Sequence, residues 1–162
     1  MRILRQVMFI VATFVGWPLA FGAPQPARSL VYSSTSFDGG WVEISLGSDG
    51  NASVKWSRDP FRHGGPKLSA WQVDLHLPKA ETNDIFQALD AADFLSLKDG
   101  RRQVPDESSV AIAERKLGAE LHSVKFSPRE TPESLHEVLS RLVTVYERAK
   151  KRNLEKMPPP RG

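Results

Sequence analysis

Asp74 and His76 are the two side chains of this sequence whose spacing most directly suggests chemistry. They lie within residues 71–77, WQVDLHL, where apolar and polar residues alternate. This alternation predicts a half-buried β-strand that points both side chains to the same face. A carboxylate beside an imidazole could form part of a metal site or an acid–base pair. The solvated outer face of an antiparallel sheet produces the same pattern, and we favour that interpretation.

Glu114 and His122 form a second carboxylate–imidazole pair, which follows from strand register. Apolar residues alternate along both halves of residues 109–126, and matching the two apolar faces places Ile112 opposite Val124. The same register places Glu114 opposite His122. We expect a contact between this carboxylate and a protonated imidazole. We interpret it as a cross-strand pair on the surface rather than as a catalytic pair.

Common catalytic and cofactor-binding motifs are missing from the sequence. There is no P-loop, no GxGxxG, no HExxH and no GxSxG. The four histidines are scattered singly, and the absence of cysteine excludes disulfides, thiolate catalysis and cysteine-based metal centres. We therefore predict no catalytic residue, no metal site and no cofactor. The alternative is a hydrolase with an unrecognised site that uses Asp74, His76 or His122.

A binding surface is the function that these polar residues suggest instead. Residues 59–67, DPFRHGGPK, predict a loop whose Arg62 and His63 could contact an anion or a partner. A solvated connector would have the same composition. The other candidates lie on the outer faces of predicted strands. The complete set of candidate binding residues is Trp41, Glu43, Lys55, Arg62, His63, Asp74 and His76.

The elements that position these residues are organised around a predicted hairpin at residues 41–56, WVEISLGSDGNASVKW. Apolar residues alternate on both of its strands, and opposing residues share a face. A two-residue loop would mismatch the two apolar faces, so we predict a three-residue loop at residues 48–50. Gly50 would adopt the left-handed conformation in that loop. The predicted pairs are Leu46 with Ala52, Ile44 with Val54, and Val42 with Trp56.

Two helices and an additional strand complete the predicted fold. Residues 79–92 follow Pro78 and repeat apolar residues at helical spacing. A second helix would begin with Thr131 as its N-cap and Pro132 in its first turn. With an edge strand at residues 30–37, the order is β-β-β-β-α-β-β-α. We predict an α+β fold: a mostly antiparallel sheet, built from two hairpins plus extra strands, with two helices packed on one face. Both halves run from hairpin to helix, so an internal duplication is a hypothesis.

The N-terminus is typical of an export signal. Arg2 and Arg5 precede a nine-residue apolar run at residues 7–15, which is too short to span a bilayer as a helix. We predict cleavage after Gly22, and an uncleaved membrane anchor is the alternative. The predicted organisation is a signal peptide at residues 1–22, a flexible spacer at 23–29, a single domain at 30–152 and a disordered proline-rich tail at 153–162.

The charge balance argues against nucleic acid as a partner. The chain has 22 basic and 19 acidic residues, and removal of Arg2 and Arg5 leaves 20 basic residues, a net charge of +1. A nearly neutral surface is a poor match for a phosphate backbone. We expect a periplasmic or secreted bacterial protein without a stable membrane span after cleavage of the signal.

Three stretches are similar to those of a family of small exported bacterial domains of unknown function. They are the hairpin EISLGSDGNASVKW, the helical segment that ends in LDAADFLSL, and the second hairpin with the helix that follows. The resemblance covers residues 30–150 and implies an α+β fold with no catalytic assignment. Members of that family carry two cysteines before the first hairpin strand, where this chain has SSTSFDGG.

Together these observations predict a non-enzymatic exported domain that binds an envelope protein or a small ligand through an exposed sheet face. A hydrolase with an unrecognised Asp/His site and a structural accessory domain without a ligand are the two alternatives. The sequence does not specify an oligomeric state.

Overall fold

The fold is a single six-stranded antiparallel sheet with two helices, as a computed structural model shows. The structure describes residues 27–35, 40–57, 71–100, 108–117 and 119–156. The strands, in chain order, are β1 (Arg28–Thr35), β2 (Trp41–Gly47), β3 (Asn51–Ser57), β4 (Trp71–His76), β5 (Ser109–Lys116) and β6 (His122–Phe126). The helices are α1 (Lys79–Ala91), between β4 and β5, and α2 (His136–Lys156), after β6. The predicted α+β class and element order are therefore confirmed.

The sheet order is β4-β3-β2-β1-β5-β6, which places β1 in the interior of the sheet. The prediction of an edge strand at residues 30–37 is wrong, because β1 pairs with β2 on one side and β5 on the other. Leu30 is fully buried and its backbone is paired on both sides. The serine-rich composition that suggested an edge belongs to a strand with only one buried face. The strand also begins at Arg28, inside the segment predicted as a spacer.

The first hairpin has the predicted register, with Leu46 opposite Ala52 and Ile44 opposite Val54. Its turn consists of residues 48–50, and Gly50 has a φ of 88°. A side chain at Gly50 would place its Cβ 2.7 Å from the Leu77 carbonyl oxygen, so glycine is required by space as well as by conformation.

The second hairpin also has the predicted register. Ile112 lies opposite Val124, and Glu114 lies opposite His122. Gly118, which lies between these two strands in the sequence, is outside the described residues. Matching of apolar faces thus determined strand pairing in both hairpins.

Helix α1 crosses the sheet from β4 towards β6. It begins directly after β4, its Phe86 ring lies 4.7 Å from the guanidinium carbon of Arg28 on β1, and Phe94, just beyond its end, packs against His122 on β6. Thirteen residues give a helix about 20 Å long. Five spacings between six strands amount to about 24 Å, so one helix of this length can cross nearly the whole sheet.

Helix α2 packs beside α1 in the opposite direction. Arg141 lies 3.4 Å from Asp84, and Arg148, two turns later in α2, lies 2.9 Å from Glu81, which is earlier in α1. An apolar stripe at helical spacing, along α2 and the turn before it, faces the core. Its members Leu135, Val138, Leu142, Val145 and Ala149 are buried, and Leu139 and Tyr146 are partly buried.

The start of the last helix differs from the prediction. The α-helix begins at His136, after two short 3-10 turns, Pro128–Glu130 and Glu133–Leu135. Thr131 does not cap it; its hydroxyl instead donates a hydrogen bond to the Pro128 carbonyl oxygen. Helix α2 continues to Lys156, past the predicted end of the domain.

Among the described residues, the buried core cluster lies on one side of the sheet. Alternate residues of the strands, together with the inner faces of α1 and α2, form one buried cluster that includes Ile44, Val54, Ile112 and Val124. The remaining alternate residues point away from both helices. We call the side chains that point away from the helices the open face.

Candidate functional site

The open face is formed by every second residue of the six strands, and many of these residues carry short hydroxyl side chains. Strand register places Ser45 opposite Ser53, and Val31 opposite both Ser45 and Ala113. The hydroxyl side chains of the open face are Ser29, Ser33, Thr35, Ser45, Ser53, Ser57, Ser109 and Ser123. Because these side chains are short, a partner could approach the sheet closely over a wide area.

Five of the seven predicted binding residues lie on the open face: Trp41, Glu43, Lys55, Asp74 and His76. The structure thus brings them onto one surface. Arg62 and His63 lie outside the described residues.

Glu43 and Lys55 are directly opposite each other on β2 and β3. The Lys55 Nζ lies 3.5 Å from Glu43 Oε1, and both side chains are about two-fifths exposed. Exposed ion pairs of this kind contribute about 0–1 kcal/mol to folding. Both groups are therefore available to a partner at little cost in stability.

Asp74 and His76 interact with neutral neighbours rather than with each other. The His76 Nδ1 atom lies 3.1 Å from Asn51 Oδ1, and Asp74 Oδ1 accepts a hydrogen bond of 3.3 Å from Gln72. Both residues are exposed. No hydrogen bond joins Asp74 to His76 in the part of the chain that the structure describes, so the carboxylate does not orient the imidazole.

Glu114 and His122 lie opposite each other, but the expected contact between them is absent. Glu114 is 2% exposed, so it is not the surface residue that we predicted. Its carboxylate oxygen Oε1 accepts a hydrogen bond of 2.8 Å from the Arg28 Nε atom, and the Arg28 Nη2 atom lies 2.6 Å away. The ring of His122 lies edge-on to Phe94, and its Nε2 atom is buried without a hydrogen-bond partner. The prediction is wrong because the neighbouring strand β1 supplies a permanently charged partner that the hairpin alone could not reveal.

Arg28 is the centre of a charged cluster that sequence reasoning missed. Besides Glu114, its guanidinium makes two hydrogen bonds of 2.8 Å to the two oxygens of Asp90 on α1. Lys116 on β5 lies 3.8 Å from Asp90. The cluster therefore joins β1, β5 and α1.

In this cluster, Arg28 and Asp90 each stabilise the charged form of the other. Burial opposes the charged form of Arg28, but the hydrogen bonds to Asp90 and Glu114 outweigh burial and raise its pKa. The hydrogen bonds from Arg28 lower the pKa of Asp90, and the charge of Lys116 acts in the same direction. A signal for the cluster was present in the sequence, since Glu114 falls on the inward face that Ile112 defines.

The residues named for a hydrolase site do not converge. Asp74 and His76 lie on the edge strand β4, whereas His122 lies on the opposite edge strand β6. Five strand spacings, about 24 Å, separate them. His122 also points to the helix side of the sheet, while Asp74 points to the open face. Within the described ranges, no group of three or more His, Cys, Asp or Glu residues could hold a metal ion.

The sequence matches no known protein family, and it matches none of the curated proteins. Neither helix in the described part of the chain is long and apolar enough to cross a membrane. The geometry of the open face is thus the main guide to function.

Proposed function

We propose that the chain is an exported, non-enzymatic domain that binds a partner protein of the bacterial envelope through the open face. The observation that carries this proposal is the one-sided architecture of the described residues: both helices and the core lie on the same side of the sheet. The predicted export signal at residues 1–22 and the resemblance to small exported domains support the compartment.

A protein partner suits the shape of this face better than a small ligand does. Small-molecule sites are concave and mostly apolar. The open face is instead built on the strands of one sheet, with hydroxyl groups at its centre and the half-buried ring of Trp41 towards one end. A partner that lies across these strands could make many hydrogen bonds to such a face while covering Trp41.

The size of the face sets the extent of the contact. Six strands with spacings of about 4.8 Å and a length of about 20 Å give a face of roughly 25 by 20 Å. Stable protein complexes bury about 800 Å² on each partner. The face is roughly 500 Å² in projection, so a specific partner must cover all of it and reach beyond its rim. A bulky side chain near its centre should therefore prevent the contact.

The test introduces that side chain at Ser45, which lies at the centre of the open face between Val31 and Ser53. The matched control is Ser140, an exposed serine on the outer side of α2. Partners are captured by cross-linking in intact cells of the native host and identified by mass spectrometry. Ser45→Arg should abolish the cross-link to a partner that both the unsubstituted chain and Ser140→Arg retain.

Two results would contradict the proposal. A partner that binds Ser45→Arg as well as it binds Ser140→Arg would lie on another surface. No reproducible partner for any of the three chains would favour a structural accessory domain. Circular dichroism of both variants establishes that a lost cross-link does not arise from unfolding.

A further inference from the structure

The unpaired charges of the open face lie towards its two opposite edges. On the edge strand β4, the exposed Asp74 forms no ion pair with any residue that the structure describes. On the opposite edge strand β6 and its neighbour β5, Lys125 and Arg115 are exposed and likewise have no ion-pair partner in the described ranges. Glu43 and Lys55, on β2 and β3, pair with each other. The open face is therefore acidic at β4 and basic at β5 and β6.

Side-chain size also differs between the two halves of the open face. Strand register places six side chains in one row across the sheet, in the order Gln72, Lys55, Glu43, Ser33, Ala111 and Lys125. The three on β4, β3 and β2 are long, whereas those on β1 and β5 are short. The adjacent row runs from Asp74 to Ser123 and has only short side chains in between. The long side chains of one half would therefore fit over the short ones of the other half.

The hydroxyl groups at the centre of the open face suit an identical surface. A serine hydroxyl can both donate and accept a hydrogen bond. Ser45 and Ser53, which lie side by side on β2 and β3, can therefore bond to the same kind of group on another copy of the chain. A face made only of donors, or only of acceptors, could not bond to itself in this way.

We propose that the open face binds a second copy of this chain, about a two-fold axis that runs parallel to the strands between β1 and β2. Rotation about this axis exchanges the two edges of the sheet, so β4 of one copy faces β6 of the other. Asp74 then lies over Ser123 of the second copy, and Lys125 of that copy is about 7 Å further along the same strand. The dimer contains this contact between Asp74 and Lys125 twice. The inference rests on the proposed function, because it names the partner that the open face binds.

Charge determines the direction of the axis. A two-fold axis perpendicular to the strands would place each strand over the same strand of the second copy. It would bring the two acidic edges together and the two basic edges together, and like charges repel. The axis parallel to the strands pairs opposite charges instead. A second copy then covers the whole face, roughly 500 Å² in projection, so the contact is at the small end of specific interfaces and we expect a weak dimer.

Charge reversal at the two edges tests this contact. The protein is expressed from its full sequence, purified in the form to which the cell processes it, and measured by sedimentation equilibrium. Asp74→Lys places lysine near lysine in its own dimer, and Lys125→Glu places carboxylate near carboxylate. Each substitution alone should raise the dissociation constant about tenfold. A mixture of the two variants should associate about as tightly as the unsubstituted chain, because opposite charges face each other again in the mixed dimer.

Lys151 and Glu155 provide the matched controls, since both are exposed on α2, on the other side of the sheet. Lys151→Glu and Glu155→Lys should leave the dissociation constant unchanged. Circular dichroism establishes that each variant is folded, above all Lys125→Glu, because the Lys125 amide donates to Asp99 beside β6. Three results would overturn the proposal: a chain that stays monomeric up to its solubility limit, equal dissociation constants for the edge and control variants, or no association in the mixture.

Failure of this inference can be separated from failure of the proposed function. Self-association is measured on the purified chain, whereas cross-linking in cells detects any protein partner. A monomeric chain whose Ser45→Arg variant loses a cross-link to a different protein would overturn the dimer and support the proposed function. A Ser45→Arg variant that dimerises as tightly as the unsubstituted chain would place the dimer contact on another surface and would also overturn this inference.

Discussion

At the scale of single residues, Arg28 joins parts of the chain that are far apart in sequence. One guanidinium binds Glu114, which is 86 residues away, and Asp90, which is 62 residues away. Its face also lies over the ring of Phe86. A buried carboxylate such as Glu114 is costly unless its charge is paired, so the guanidinium is what makes this carboxylate acceptable in the core.

Removing the Glu114 carboxylate should show how much this pairing with Arg28 contributes to stability. Glu114→Ala leaves Arg28 with Asp90 as its remaining carboxylate partner and opens a void beside Ile112. We expect a loss of about 1–3 kcal/mol in the free energy of unfolding, since Arg28 keeps one partner and some access to water. Urea denaturation measures this loss.

Glu43→Ala is the matched control for this substitution. It removes a glutamate from strand β2 of the same sheet, but from an exposed pair with Lys55. Its cost should stay within about 0.5 kcal/mol, because exposed pairs contribute little. Equal losses for the two alanine variants would show that the charged cluster adds nothing beyond an ordinary surface pair.

At the scale of elements, both edges of the sheet are partly blocked by the chain itself. On β4, Arg152 from α2 donates a hydrogen bond of 3.0 Å to the Asp74 carbonyl oxygen. On β6, the Lys125 amide donates to Asp99, and the Lys125 carbonyl oxygen accepts from the Gly100 amide. Exposed strand edges promote pairing with other chains. These contacts direct recognition away from the edges and are consistent with binding through the open face.

The turn of the first hairpin contacts the segment that leads into α1. The Leu77 amide donates to the Gly50 carbonyl oxygen, and a Cβ at Gly50 would clash with the Leu77 carbonyl oxygen. Gly50→Ala should therefore lower the free energy of unfolding by about 2 kcal/mol or more, from the left-handed conformation and the clash together. Thermal denaturation would detect this change.

Gly100→Ala provides the comparison for Gly50→Ala. Gly100 has no positive φ, and a Cβ there would lie 3.2 Å from the Phe126 Cβ, so a small adjustment suffices. Its effect should be clearly smaller. If Gly50→Ala were as well tolerated as Gly100→Ala, the turn would be free to relax and would not determine the register of the hairpin.

At the scale of the whole molecule, the interior strand β1 unites the two hairpins. It separates the β2–β3–β4 portion of the sheet from the β5–β6 portion and pairs with both. Helices α1 and α2 then cross both portions on one side. The open face is continuous only because β1 fills the position between the hairpins.

Hydrogen exchange offers a test of this topology in solution. We expect the paired amides of β1 to exchange as slowly as those of β2, because both strands have a neighbour on each side. The outward amides of the edge strands β4 and β6 should exchange faster. Exchange of β1 at the rate of the edge strands would contradict the observed strand order and would return β1 to the position that its composition suggested.

The sequence alone determined those features of this protein that depend on local pattern. Alternation of apolar residues established five of the six strands and both hairpin registers, and matching the apolar faces of the first hairpin required a three-residue loop. Apolar spacing established the two helices and their inner faces. These features were predictable because each depends on neighbours within one element or one hairpin.

Only the tertiary structure determined which distant segments of the chain contact one another. It moved β1 from an edge to the interior, paired Glu114 with Arg28 rather than with His122, and separated His122 from Asp74. The composition of a strand reports the burial of its faces but not the number of its neighbours, and an inward glutamate does not reveal which cation will reach it. The physical reason is that strand order and charge pairing are set by packing of the complete sheet and its helices, which local periodicity does not encode.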